Sequence, residues 1–214
     1  MEIIETFAEA TNPLYLFAIN QLKNNKHIRG IYNKDAAQFS FWYAVYAYDY
    51  LKTFKVFPTK INGYKDYIFD FYNVEDDEDK RTKKIKNNRG KFIDHYDGFD
   101  FKNEILKFCD IYNVSFNLYA YNPFNYPQYY KFGEVGNAKD KINLLILPFE
   151  PTQFFLITNI DYVNGRLINN EIADELHAKN KLLAKELRAR PIKEFYNIDF
   201  YNELLRRLTQ NFTL

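Results

Sequence analysis

The chain has 214 residues, 47% hydrophobic and 27% charged, a globular balance with enough apolar area for one substantial domain or two small ones. Lys and Arg total 29 against 28 Asp and Glu, and a net charge of +1 excludes global steering toward nucleic acid or an anionic membrane. The single Cys excludes an intramolecular disulfide framework and a cysteine-based zinc cluster, as suits a reducing compartment.

The opening residues Met1-Glu-Ile-Ile-Glu are acidic where a secretory signal is basic, and no apolar run approaches the roughly 18 residues of a membrane span. The expected location is therefore cytoplasm or a virion. Aromatic residues are the compositional signature, with 19 Tyr and 21 Phe against one Trp. The skew toward Tyr, Phe, Asn, Lys and Ile is what an AT-rich coding sequence produces. It also supplies rings with a phenolic tip that needs a hydrogen-bond partner at the edge of burial.

In chain order, Asn12 and Pro13 open a predicted helix over 13–24, with Leu14, Phe17, Ala18 and Leu22 on one face. A second helix, over 36–52 with Asp35 as its cap, opens a dense run of Phe39, Phe41, Trp42, Val45, Tyr46, Leu51 and Phe54 that is apolar on most sides, so the helix is central or faces a partner. Tyr67, Phe69 and Phe71 alternate with acidic residues, which reads as a half-buried strand over 65–72. An acidic block from Glu75 to Asp79 then abuts the basic run Lys80, Arg81, Lys83, Lys84, Lys86 and Arg89, a charged loop over 75–90.

Asn103 caps a predicted short helix with Ile105, Leu106, Cys109 and Ile111, and a turn at Asn113 leads to a strand over 114–121. Residues 122–131 read as an irregular, proline-marked loop whose aromatics Phe124, Tyr126, Tyr129 and Tyr130 suit contact with a partner. Two apolar runs, 142–147 and 153–159, read as adjacent strands joined by a tight turn. Amphipathic helices over 170–189 and 199–209 complete the chain. The fold class is α+β: a mixed or antiparallel sheet of about four to five strands packed by helices. The break near Gly165 divides a body over 1–164 from a helical segment over 165–214.

No motif for catalysis, metal or nucleotide accompanies these elements, and no cofactor is expected. The conceivable catalytic groups are Ser40, Cys109 on the inward stripe of its helix, and His95 between Asp94 and Asp97. The acidic block lacks the glycine and the spaced acceptors of a calcium loop. The basic run over 80–89 is the one local feature suited to nucleic acid, opposed by the acidic block beside it.

Over 38–160 the sequence resembles the N-terminal region of polymerase polyproteins from Polinton or Maverick elements. The similar stretches are Phe41-Trp42, the run from Phe108 to Tyr119, Ile142 to Leu147, and Phe154 to Ile160. The resemblance implies a papain-like or ovarian-tumour-type protease order, with a Cys before the aromatic helix and a His before the last strand. Those positions hold Phe39 and Gln153, which can act neither as nucleophile nor as base at neutral pH. The sequence thus points to a non-enzymatic structural or interaction subunit of a larger assembly, such as a virion or phage particle, with other protein subunits as partners. A degenerate or active cysteine-protease-like enzyme and a nucleic-acid-binding accessory protein are the alternatives.

Overall fold

The computed structural model describes residues 15–59, 63–73, 96–123, 128–147 and 152–167. The charged loop over 75–90 with all its cations, His95, Phe124, Tyr126 and both predicted C-terminal helices lie outside these residues. The described strands are β1 (Ile28–Gly30), β2 (Ser115–Tyr121), β3 (Tyr129–Val135), β4 (Lys141–Leu147) and β5 (Gln153–Ile157). They form one five-stranded mixed sheet in the order β1-β5-β4-β2-β3. Only β2 and β4 run parallel; the other neighbouring pairs are antiparallel.

The described helices are α1 (residues 15–23), α2 (Ser40–Phe54), α3 (Tyr64–Asn73), α4 (Phe101–Tyr112) and the short α5 (Ile160–Asn164). Strand alternation sorts the apolar side chains onto two faces of the sheet. Phe116, Leu118 and Ala120 of β2, with Ile142, Leu144 and Ile146 of β4 and Phe154 and Leu156 of β5, pack against α2, α3 and α4. Tyr119, Tyr121, Leu145, Leu147, Phe155 and Ile157 pack on the other side against Ala18, Ile19 and Leu22 of α1 and Val163 of α5. Central strands covered on both faces explain why 142–147 and 153–157 are nearly unbroken apolar runs.

The expected strand over 65–72 is instead the helix α3. Tyr64, Ile68, Phe71 and Tyr72 fall at helical spacing and are all buried, while Tyr67 and Phe69 are only half-buried. The period-2 pattern gave way to this i, i+4, i+7, i+8 stripe because it is the stripe that fits onto α2. The second helix also begins differently. Asn33, not Asp35, caps a 3-10 turn over Lys34–Phe39 by accepting the Asp35 N–H, and the α-helix starts at Ser40.

Asp100 replaces Asn103 as the cap of α4, its carboxylate accepting the Asn103 N–H. Asn113, at φ 50°, ends that helix in the left-handed region, where the expected turn falls. Tyr129 and Tyr130 belong to β3, so this end of the expected irregular loop is regular strand.

Candidate functional site

The residues that follow the two positions of the protease order, Ser40 after Phe39 and Phe154 after Gln153, meet in space. Ser40, at the first turn of α2, accepts the Phe154 N–H through its Oγ at 3.0 Å, and Gln153 is the preceding residue at the start of β5. Ser40 and Gln153 are both fully buried, and Gln153 Nε2 donates to the Ile31 carbonyl at 3.2 Å. Phe39 is buried between Tyr64 and Tyr96, with ring centroids at 5.5 and 5.9 Å. The partner of the serine oxygen is thus a backbone amide, and the junction ties a helix start to a strand start.

Cys109 is buried on the sheet-facing side of α4. Burial, and secondarily the Asp110 carboxylate, push its thiol up to about 11. Only the thiolate alkylates, and at pH 8 such a thiol is scarcely ionised. Native protein is therefore expected to react with iodoacetamide roughly two orders of magnitude more slowly than urea-unfolded protein. Equal rates in the two states, followed by mass spectrometry, would show that Cys109 is accessible and activated.

Of the four aromatics expected to meet a partner, Tyr129 is fully buried and Tyr130 half-buried. Tyr129 packs on Tyr121 at 5.3 Å and its hydroxyl accepts from Asn25 Nδ2 at 3.2 Å. Its ring is core, and truncating it would damage the fold before any interface. Among the described residues, a row of aromatic rings on α2 runs out to the surface. Tyr46, Tyr50 and Phe54 touch in sequence, edge-to-face and then tilted, with centroids 5.9 and 4.6 Å apart, and Tyr67 of α3 meets Tyr46 edge-to-face at 5.8 Å. Phe54 is 59% exposed and Val56, just past the helix end, is 58% exposed. The i, i+4, i+8 spacing of these rings was readable in the sequence, hidden among so many other aromatics.

A second feature opens on the α1 side of the sheet. Gln21, Asn24, Asn25, Lys26, His27, Tyr121, Gln128 and Tyr162 line an open cleft of about 590 Å³. Asn25 organises it: its Nδ2 donates to the hydroxyls of Tyr129 and Tyr162, and its Oδ1 accepts the His27 N–H at 2.9 Å. Tyr121 donates its hydroxyl to Gln21 Oε1 at 2.6 Å. Burial, then the nearby Tyr162, raises the Tyr121 phenol well above the ordinary range, so it stays a neutral donor. No group of three or more His, Cys, Asp or Glu able to hold a metal ion occurs among the described residues. No helix among them is long and apolar enough to cross a membrane.

The class defined by these observations is a mixed five-stranded sheet with helices on both faces. Compared with protein-family models, with curated proteins and with solved structures, the chain matches none of them.

Proposed function

We propose that this protein is a non-enzymatic interaction subunit of a larger protein assembly, such as the particle of a virus or phage with an AT-rich genome. The aromatic rings along α2 carry the reading. A row of Tyr46, Tyr50 and Phe54 in edge-to-face and tilted contact that ends in exposed Phe54 and Val56 is the rigid, amphipathic surface that protein interfaces favour. Core packing does not require Phe54 or Val56 where they stand. A further copy of the chain is the simplest subunit to meet this surface.

The test is the mass of the purified chain by light scattering across a concentration series. Self-association that disappears in the Phe54→Ser, Val56→Ser double variant, with an unchanged circular dichroism spectrum, is the expected result. A chain that stays monomeric throughout, or a variant that associates like the parent, overturns the assignment of this surface.

One observation favours a second reading, that of a degenerate cysteine-protease-like domain. Ser40 Oγ on the Phe154 N–H brings the start of the aromatic helix and the start of β5 into contact, as the resemblance in order requires. On this reading the fold is retained while Phe39 and Gln153 close the reaction centre. Labelling by a serine- or thiol-directed activity probe that is lost on Ser40→Ala or Cys109→Ala would restore an enzyme reading.

A further inference from the structure

We propose that the cleft between α1 and the β2-β3 end of the sheet is a binding site for a phosphorylated sugar. Its size, about 590 Å³, falls within the range of small-ligand sites. The described lining is unusual in chemistry: side-chain amides, two tyrosine hydroxyls, an ammonium and an imidazole, with no carboxylate among the described lining residues. Such a set offers mainly hydrogen-bond donors and one fixed positive charge.

Several lining groups are spent on the cleft's own architecture. Asn25 uses both amide hydrogens and its oxygen on Tyr129, Tyr162 and His27. Asn24 Nδ2 donates to the Asn20 carbonyl. Gln21 accepts from Tyr121 through Oε1, which fixes the amide and turns Nε2 into an oriented donor. Lys26 is exposed at the rim and is the natural partner for a phosphate, as a charge-assisted contact. Gln21, Gln128 and the imidazole of His27 are left to meet hydroxyls or phosphate oxygens.

The ring of Tyr162 offers little free face for stacking a base. The His27 ring lies 4.3 Å from it and the Arg166 guanidinium lies 3.9 Å over it. A donor array without an open aromatic face suits an acceptor-rich, anionic and polyhydroxylated ligand better than a nucleobase. This inference stands apart from the assembly reading, since a monomer and a subunit present the cleft alike.

The experiment is calorimetric and NMR titration of the full chain with ribose 5-phosphate, glucose 6-phosphate, ribose, inorganic phosphate and adenosine monophosphate. At least one sugar phosphate is expected to bind about tenfold or more tightly than ribose or phosphate alone, because both parts contribute. Lys26→Gln, a change at an exposed side chain, is expected to weaken that binding about fivefold or more, and Gln128→Ala to weaken it as well. Equal binding of ribose would make the site one for neutral sugars, and equal binding of phosphate would remove the sugar. Tighter binding of adenosine monophosphate would make it a base-reading site. Each of these outcomes, like binding by neither sugar phosphate or binding untouched by Lys26→Gln, overturns the proposal.

Discussion

Replacing Trp42 with alanine is expected to lower the unfolding free energy by about 3–5 kcal/mol, the cost of emptying a large aromatic site in a packed core. Trp42 is fully buried and its indole meets five rings, those of Phe41, Phe71, Tyr72, Phe99 and Phe108, with centroids between 5.4 and 6.4 Å. The edge-to-face pairs among them, with Phe41, Phe99 and Phe108, add about 0.5–1.5 kcal/mol each beyond burial, though they do not add independently.

The indole also begins a buried polar chain. Its Nε1 donates to the Tyr96 hydroxyl at 2.6 Å, which lies 3.3 Å from the Tyr72 hydroxyl, which in turn donates to Glu104 at 3.2 Å. Glu104 accepts the Asp100 N–H at the start of α4, so the chain joins α2, α3 and α4. Trp42→Phe restores much of the volume but not the donor. It should therefore cost less than the alanine variant while still losing about 1–3 kcal/mol, through the packing deficit and the weakened chain. Urea unfolding followed by circular dichroism measures both. A loss below about 1 kcal/mol for Trp42→Ala would mean that this cluster is not packed as described.

Which parts of this architecture were legible in the sequence follows from how many physical demands each segment meets. Ile142 to Leu147 and Phe154 to Ile157 are covered on both faces, so only continuous apolar residues satisfy them, and they read as strands at once. Residues 64–72 meet two patterns together, and only the presence of α2 decides between them. β1 spans three residues and has its meaning only beside β5. Tyr129 lies next to proline-marked loop residues, and nothing local reveals that a strand carries it beneath Asn25. The parallel β2-β4 pair brings Asn117 Nδ2 to Asn143 Oδ1 at 2.9 Å, a contact between residues whose separation gives no local sign of it.

The candidate sites divide in the same way. Ser40 and the start of β5 were each visible in the sequence as parts of a helix and a strand, but the bond from the Phe154 N–H to Ser40 Oγ joins residues 114 apart and has no local sign. The cleft is built from residues 21–27, from Tyr121 and Gln128, and from Tyr162, segments that share no spacing. Its amides read as ordinary surface Asn and Gln until the fold converges them.

Gly30→Ala is expected to destabilise the protein by about 1–3 kcal/mol, the range for forcing atoms into a filled core. Gly30 lies directly opposite Phe155 across the β1-β5 pair. A methyl group there would meet Phe155 Cδ1 at 2.4 Å, closer than any real carbon contact. The phenyl ring covers the bare glycine as a cross-strand lid, and it has no open direction for retreat. Phe155 is fully buried, with the Tyr32 ring at 5.4 Å and α1 over the same face. Pairing the change with Phe155→Leu gives the discriminating result. Phe155→Leu alone loses stability through lost ring area, yet in the double variant the smaller side chain makes room for the methyl. The cost of the pair should then be less than the sum of the two single costs by about 0.5 kcal/mol or more, a coupling that chemical denaturation resolves. Strict additivity would mean that residue 30 does not lie beneath that ring, and the β1-β5 register, which also sets His27 at the mouth of the cleft, would have to be shifted.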